Sequence, residues 1–430
     1  MHIGVFLQSA GHHSAAWRLP EAAENAGLNL RHFVECANIA ERGKLDFIFF
    51  ADFCAVSDAD VSARGFSNFA PHLDPTVLLS ALATSTERVG LIATMTSTYN
   101  APYHVARKFA SIDYMSEGRA GWNLVTSTFG EEAYNFGLDK PLDAATRYER
   151  AGEFADVVMG LWRSWEPDAL IADKQGGLYY DPTKLHRLEH AGKHFTVRGP
   201  LTIPPSPQGR PVIVQAGASD DGINLAGRVA EVVFTAQNDL GSARAFYDKL
   251  KARAETCGRT RESVKILPGI AVVVGENESE AQAKLARLNG LIHPALGLAR
   301  LSNMLGGVDL SGLSLDGPLP EIDIEKTTGQ RSRIELVLRK AEHEDASIRD
   351  LMVWAAGTKG HNLVVGTPTS IADRLEEWVY AGAADGFVLM PLSLPGDLRD
   401  FVTLVVPELR RRGCFRHEYA GVTLRQHLGL

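Results

Sequence analysis

The side chains best suited to chemistry in this sequence fall at the ends of short apolar runs. The run from Ile3 leads into Gly11, His12, His13 and Ser14, and the run from Phe47 ends at Asp52. A third, from Val89, reaches Thr96, Ser97 and Thr98, while a fourth, from Ala120, carries Asn123 and Thr126. Any one of these residues is explained as well by a helix cap or a solvated loop, because functional positions are few. Polarity repeated at four successive run ends points instead to one shared mouth. His12 and His13 are the catalytic candidates there, since an imidazole exchanges a proton near neutral pH. Adjacent side chains of an extended chain face opposite ways, so only one of the two would point inward. The pair has neither HxH nor HExxH spacing, and no metal site is expected.

A fifth run, from Val212, closes with Gln215 to Ser219, followed by Asp220, Asp221, Gly222 and a helical pattern through Leu225 and Val229. Gly217 permits close backbone approach. The amides of Ala218 and Ser219 would then point from a helix start toward phosphate oxygens, with the Ser219 hydroxyl as a further donor. A simple Ser N-cap is an equal alternative. Barrel phosphate sites usually follow strands seven and eight, so this position would be a departure.

The elements that must position these residues read as strands alternating with helices. Three more apolar runs, from Val232, Ile266 and Gly386, bring the candidate strands to eight. Between the first two, Leu30, Phe33, Val34, Ala37 and Ala40 recur at helical spacing up to Gly43. Asp74–Pro75 and Thr367–Pro368 open further helices, the latter ending near Gly382. Near-continuous apolar strands imply burial on both faces, which favours an α/β fold of the (β/α)₈ TIM-barrel type over an open sheet. Two stretches exceed ordinary connections, at about 127–211 and about 289–361, and are expected as insertions after strands 4 and 7 of a single domain spanning 1–430. Trp162 and Trp165 read as packing anchors, and Arg410, Arg411 and Arg412 as a solvated helix terminus.

Composition narrows the partners. The chain has 430 residues and a formal charge of −8, with 45% hydrophobic and 22% charged residues, an ordinary globular balance. Without long basic blocks, neither nucleic acid nor an anionic membrane is an expected partner. Cys36, Cys54, Cys257 and Cys414 are scattered, as reduced thiols of a cytoplasmic protein would be. The amino terminus lacks a basic region and meets Gln8 before any signal-length apolar stretch.

With these residues in view, the sequence resembles the bacterial-luciferase-like flavin monooxygenases, in particular the nitrilotriacetate and dibenzothiophene-sulfone monooxygenase group. The landmarks are GHHSAAWRLP at 11–20, AERGKLDFIFFAD at 40–52, PYHVARKFASIDYMSEGRAGWNLVTS at 102–127, SPQGRPVIVQAGAS at 206–219 and AGAADGF at 381–387. Their order spans essentially the whole chain. The resemblance implies a barrel that binds reduced FMN (FMNH₂) supplied by a separate NAD(P)H:flavin reductase. It implies O₂ as co-substrate, reacting through a flavin C4a-(hydro)peroxide to oxygenate a small organic molecule, and a homodimer or homotetramer. Carried over by position, Asp52, Thr98 with Thr96 as the alternate register, Asn123, Tyr148, Ala218 and Ser219 would hold the flavin, and His12 and His13 would line the pocket. One departure stands out: the family places a flavin-contacting His four residues before the tyrosine, where this chain has Ala144. The competing readings are a deazaflavin-dependent hydride-transfer oxidoreductase and a non-catalytic flavin-binding paralogue. No GxGxxG follows a strand, so a nicotinamide domain is not expected.

Overall fold

The computed structural model describes residues 1–56, 61–127, 129–323, 331–358 and 361–430; parts of both expected insertions, 128, 324–330 and 359–360, lie outside them. Eight parallel strands close into a barrel in the order β1 (His2–Phe6), β2 (Phe47–Phe50), β3 (Gly90–Thr96), β4 (Ala120–Val125), β5 (Val212–Ala216), β6 (Val232–Thr235), β7 (Lys265–Val274) and β9 (Gly386–Leu389). Pairing of β9 with β1, register His2↔Gly386 to Val5↔Leu389, completes the ring. These are the eight apolar runs. A further strand, β8 (Asn362–Gly366), runs along the carboxyl half of β7 from Ile270 to Val274. The sequence did not signal it, because its residues are only partly buried up to Gly366 and it adjoins the second long segment.

Helices surround the ring for reasons visible in their caps. α1 (Leu30–Arg42) starts at Asn29, whose side chain accepts from the amides of Arg31 and His32. α2 (Pro75–Leu82) starts at Asp74, and α3 (Pro102–Met115) has Pro at its first position. Residues 126–211 hold the long α4 (Ala144–Leu161) and two small antiparallel hairpins. α5 (Asp220–Val229) and α6 (Leu240–Thr256) follow β5 and β6. After β7 come α7 (Glu278–Asn289), α8 (Pro294–Met304), α9 (Arg331–Glu344) and α10 (Ile348–Thr358), the last three around their own apolar cluster with Leu301, Val337 and Leu351 at its centre. α11 (Pro368–Tyr380) opens with a capping box between Thr367 and Ser370.

The amino-terminal end of the barrel is stoppered by α12 (Leu424–Leu428). Leu424 and Leu428 are fully buried among Phe47, Ile92 and Val212. Gly90 makes room: a Cβ there would lie 2.4 Å from Leu424 Cδ1. A polar cleft of about 490 Å³ among Glu41, Lys44, Glu87, Arg88 and Tyr419 also opens at this end, the face of such barrels that serves stability rather than chemistry. The arginine run before α12 differs from its expectation as a solvated terminus. Arg412 is only 12% exposed and lies within 2.7 Å of Asp373, Glu376 and Glu408, and Arg410 donates to Gly43 O. Asp373 and Glu376 of α11 join the local Glu408 in covering this charge. Trp162 and Trp165 pack as anchors, their indole N–H groups donating to Ala106 O and Leu201 O. Among the described residues no helix is long and apolar enough to cross a membrane.

Candidate active site

All the polar run ends meet at the carboxyl end of the barrel. The interior below them is aromatic: Phe6 packs 4.7 Å from Phe49 and 6.2 Å from Phe234. His12 sits over this floor, its ring edge-on to Phe6 at 4.4 Å and Nε2 3.0 Å from Phe6 O. His13 turns the other way, as alternation requires. It is fully buried, its Nδ1 accepts from the Ala15 amide at 3.2 Å, and Nε2 lies 3.1 Å from Asn289 Oδ1. That pattern makes Nε2 the protonated nitrogen and fastens the β1 loop to the end of α7. Gly11 permits the turn between them, with φ of 129° and the place of a Cβ taken by Leu392 O at 2.2 Å.

On the neighbouring strands, Asn123 of β4 stands opposite Thr94 of β3 and donates to its hydroxyl at 2.8 Å. Its Oδ1 is buried and has no hydrogen-bond partner among the described residues. Thr96 and Thr98 spend their hydroxyl protons on the Val125 and Thr126 carbonyls, at 3.4 and 2.7 Å. Thr96 Oγ1 also accepts from the Ser127 hydroxyl. Thr96 Oγ1 accepts from the Thr98 amide as well, at 3.1 Å, so its lone pairs are taken, whereas those of Thr98 are left to complement a ring N–H.

Asp52 is paired with His72, Oδ1 to Nε2 at 3.4 Å, while His72 Nδ1 lies 3.0 Å from Ala70 O. Both ring nitrogens lie near acceptors, and the Asp52 contact raises the pKa of the ring above its usual value. Burial and the nearby Asp52 and Glu132 carboxylates push the Cys54 thiol up to about 12, which keeps it neutral.

Across the barrel, β5 delivers the anion turn. Ser219 caps α5, accepting from the Gly222 amide at 3.2 Å, and its Oγ is 3.2 Å from the Tyr148 hydroxyl. Ser219 is thus an N-cap and also half of a hydroxyl pair facing Gly217, beside Ala218. A Cβ on Gly217 would lie 3.4 Å from Gln215 Nε2 and 3.7 Å from the Tyr148 hydroxyl. Tyr148 is held by its own helix: the Arg147 guanidinium donates to Ser127 O, and Arg150 packs over Phe195 at 4.3 Å. Ala144 is the first residue of α4, exposed and one turn before Tyr148 on the same face.

A family model described as luciferase-like monooxygenase matches residues 1–385. The chain belongs to that family. It is 49% identical over 428 residues to the N-acetyl-S-(2-succino)cysteine monooxygenase of Bacillus subtilis, covering 100% of this chain and 96% of the relative. It is 48% identical to nitrilotriacetate monooxygenase component A of Aminobacter aminovorans, with the same coverage. The crystal structure of a riboflavin lyase with modified FMN and riboflavin overlays with a TM-score of 0.87 at 32% identity, covering 100% of this chain and 96% of that one. The protein is a flavin-dependent monooxygenase with a TIM-barrel-like fold.

The residues fit a flavin nucleotide. The orphaned Asn123 Oδ1 and the Thr98 lone pairs suit the N–H edges of an isoalloxazine, and the Gly217 turn, bare of any Cβ, suits a phosphate. Sequence reasoning missed three members of this site. Thr94 shares the inward alternation of Thr96, and Gln215 precedes the turn already singled out, so both could have been found. His72 lies in a loop with no periodic signal, and only tertiary contact brings it to Asp52.

Proposed function

We propose that this chain is the oxygenase of a two-component system, taking reduced FMN from a separate NAD(P)H:flavin reductase and transferring one atom of O₂ to a small organic substrate. The observation that carries the reading is the Tyr148–Ser219 hydroxyl pair at the capped start of α5, opposite a polar, water-shielded mouth above an aromatic floor. The designation of a relative as component A supports a second, reducing component. Reduced flavin supplies two electrons and two protons, so that one oxygen atom enters the substrate and the other leaves as water.

The chain's own residues bind, orient and shield. Ser219 Oγ, Tyr148 Oη and the amides around Gly217 hold the phosphate end, Asn123 and Thr98 orient the ring with matched acceptors, and Thr96 positions Thr98 by accepting from its amide. Asp52, paired with His72, adds a carboxylate at a ring edge. His12 is placed over the floor, where it can hold or pass a proton. The segments after β1, β2 and β7 exclude water from the reacting face. We further propose a cytoplasmic homodimer or homotetramer. Leu170, Ile171, Leu178 and Tyr179 stand exposed on one hairpin, an apolar surface of the kind subunits cover.

Oxygen uptake with an independent flavin reductase, NADH, FMN and candidate substrates tests the reading. The expected result is substrate-dependent product carrying one ¹⁸O atom from ¹⁸O₂, and negligible NADH oxidation without the reductase. Rapid NADH oxidation by the chain alone would reject the division of labour, and turnover with reduced deazaflavin alone would reject the oxygenase.

A further inference from the structure

We infer that Arg300 receives a carboxylate of the organic substrate, and that this enzyme therefore takes an anionic small molecule. Arg300 lies on α8, the helix that packs across the segment after β2, and its guanidinium rests over the Phe69 ring at 5.7 Å. Around it, Phe66 stacks face to face on His293 at 3.5 Å, the Trp17 indole donates to Phe66 O, and Asn68 donates to the Ser9 hydroxyl. Segments from β1, β2 and β7 thus form one wall of the mouth. The Gly217 turn follows β5, diametrically across the barrel from β1, so this wall stands on the side of the mouth opposite that turn.

What sets Arg300 apart is its lack of compensation. Three other shielded arginines have partners throughout: Arg119 donates to four backbone carbonyls and the Thr86 hydroxyl, Arg259 to four carbonyls, and Arg412 meets three carboxylates. Among the described residues no carbonyl, hydroxyl or carboxylate reaches the Arg300 side chain. Burial is the sole influence on its acidity, lowering its pKa. A half-shielded guanidinium with an aromatic face on one side keeps its planar fork of N–H donors free for a carboxylate, the ligand that fork matches best. The Phe69 ring lies within cation–π reach of the guanidinium and favours its position there.

The inference rests on the oxygenase reading only in calling the ligand a substrate, and the test separates the two. The probes are N-acetyl-S-(2-succino)cysteine, nitrilotriacetate, and the fully methyl-esterified form of the first, which keeps its shape without its charge. Calorimetry on the whole chain without flavin reads binding, and product formation with reductase-supplied FMNH₂ reads KM. At least one of the acids should bind and the ester should bind more weakly. Arg300→Met should weaken the acid about 10- to 100-fold in Kd and KM, the loss of a hydrogen bond to a charged group, with the ester shifted about twofold or less. Arg300→Lys should recover part of the loss, which a purely packing role would not show. Equal affinity for acid and ester, no binding of either acid, or an Arg300→Met variant that shifts acid and ester together would overturn the inference while leaving oxygenation of uncharged molecules such as dibenzothiophene sulfone intact. Arg300-dependent acid binding without turnover of any probe would uphold the anion site and reject the oxygenase.

Discussion

The Ser219 hydroxyl serves two partners, the Gly222 amide and the Tyr148 hydroxyl, at 3.2 Å each. A phosphate placed there would draw on the same group, so Ser219→Ala should raise the Kd for reduced FMN about 10- to 100-fold in anaerobic titration. Loss of the cap alone would cost about 0.5–2 kcal/mol of stability. Ser219→Gly separates the effects, since Gly is a tolerable N-cap that still lacks the hydroxyl. If Ser219→Gly binds reduced FMN as tightly as the unaltered chain, the phosphate lies elsewhere. The family histidine missing at Ala144 has a geometric meaning at this scale too. Four residues along a helix return to the same face, so an imidazole there would stand one turn from Tyr148, where this chain presents only the exposed Ala144 methyl.

Among the elements, α12 is short for the work it does. Its five residues, Leu424–Leu428, put two leucines into the base of the barrel, beneath the layer of Phe6, Phe49 and Phe234. Barrel interiors are filled by side-chain layers, and here the lowest layer comes from the far end of the chain. Gly90 at the start of β3 leaves the space it needs. Leu424→Ala should therefore cost about 2–5 kcal/mol, the range for buried leucine truncation, read as a shift in the urea midpoint. A loss below about 1 kcal/mol would mean that α12 caps the barrel without bearing on its core.

For the whole molecule, Asp46 ties three distant segments together. Fully buried before β2, it accepts from the Ile3 amide at 2.7 Å, His2 Nδ1 at 3.0 Å and Arg416 at 2.6 Å. Burial pushes its pKa up, but His2, Arg416 and the Ile3 amide together hold it below the ordinary carboxylate value. A carboxylate depressed in the fold stabilises it above the unfolded pKa of about 3.9, and that contribution is lost as pH falls through the folded value. Asp46→Asn should cost about 3–5 kcal/mol at neutral pH, because it strands the Arg416 charge, and should flatten the acid limb of the stability curve. Urea unfolding at pH 7 and at several points below pH 4 checks both, and an unchanged acid limb would sink the assignment to Asp46.

What the sequence determined by itself was whatever local pattern can carry. The eight barrel strands were legible because strands buried on both faces must be almost wholly apolar, and α1, α2 and α11 because Asn29, Asp74 and Thr367 cap them through contacts within a few residues. Asn123, Ser219 and the opposed facing of His12 and His13 followed from alternation and cap chemistry, and Tyr148 came from the family landmark. Only tertiary structure decided the rest. β8 is paired along one strand and only partly buried, so its run carries no strong period. His72 reaches Asp52, Asn289 reaches His13, and Asp373 and Glu376 reach Arg412 across tens to hundreds of residues. Arg300 makes the same point by contrast: as one arginine among many in the sequence, it becomes informative only when the fold shields it beside Phe69 and supplies no anion among the described residues, because the cost of shielding a charge depends on surroundings that no local spacing encodes.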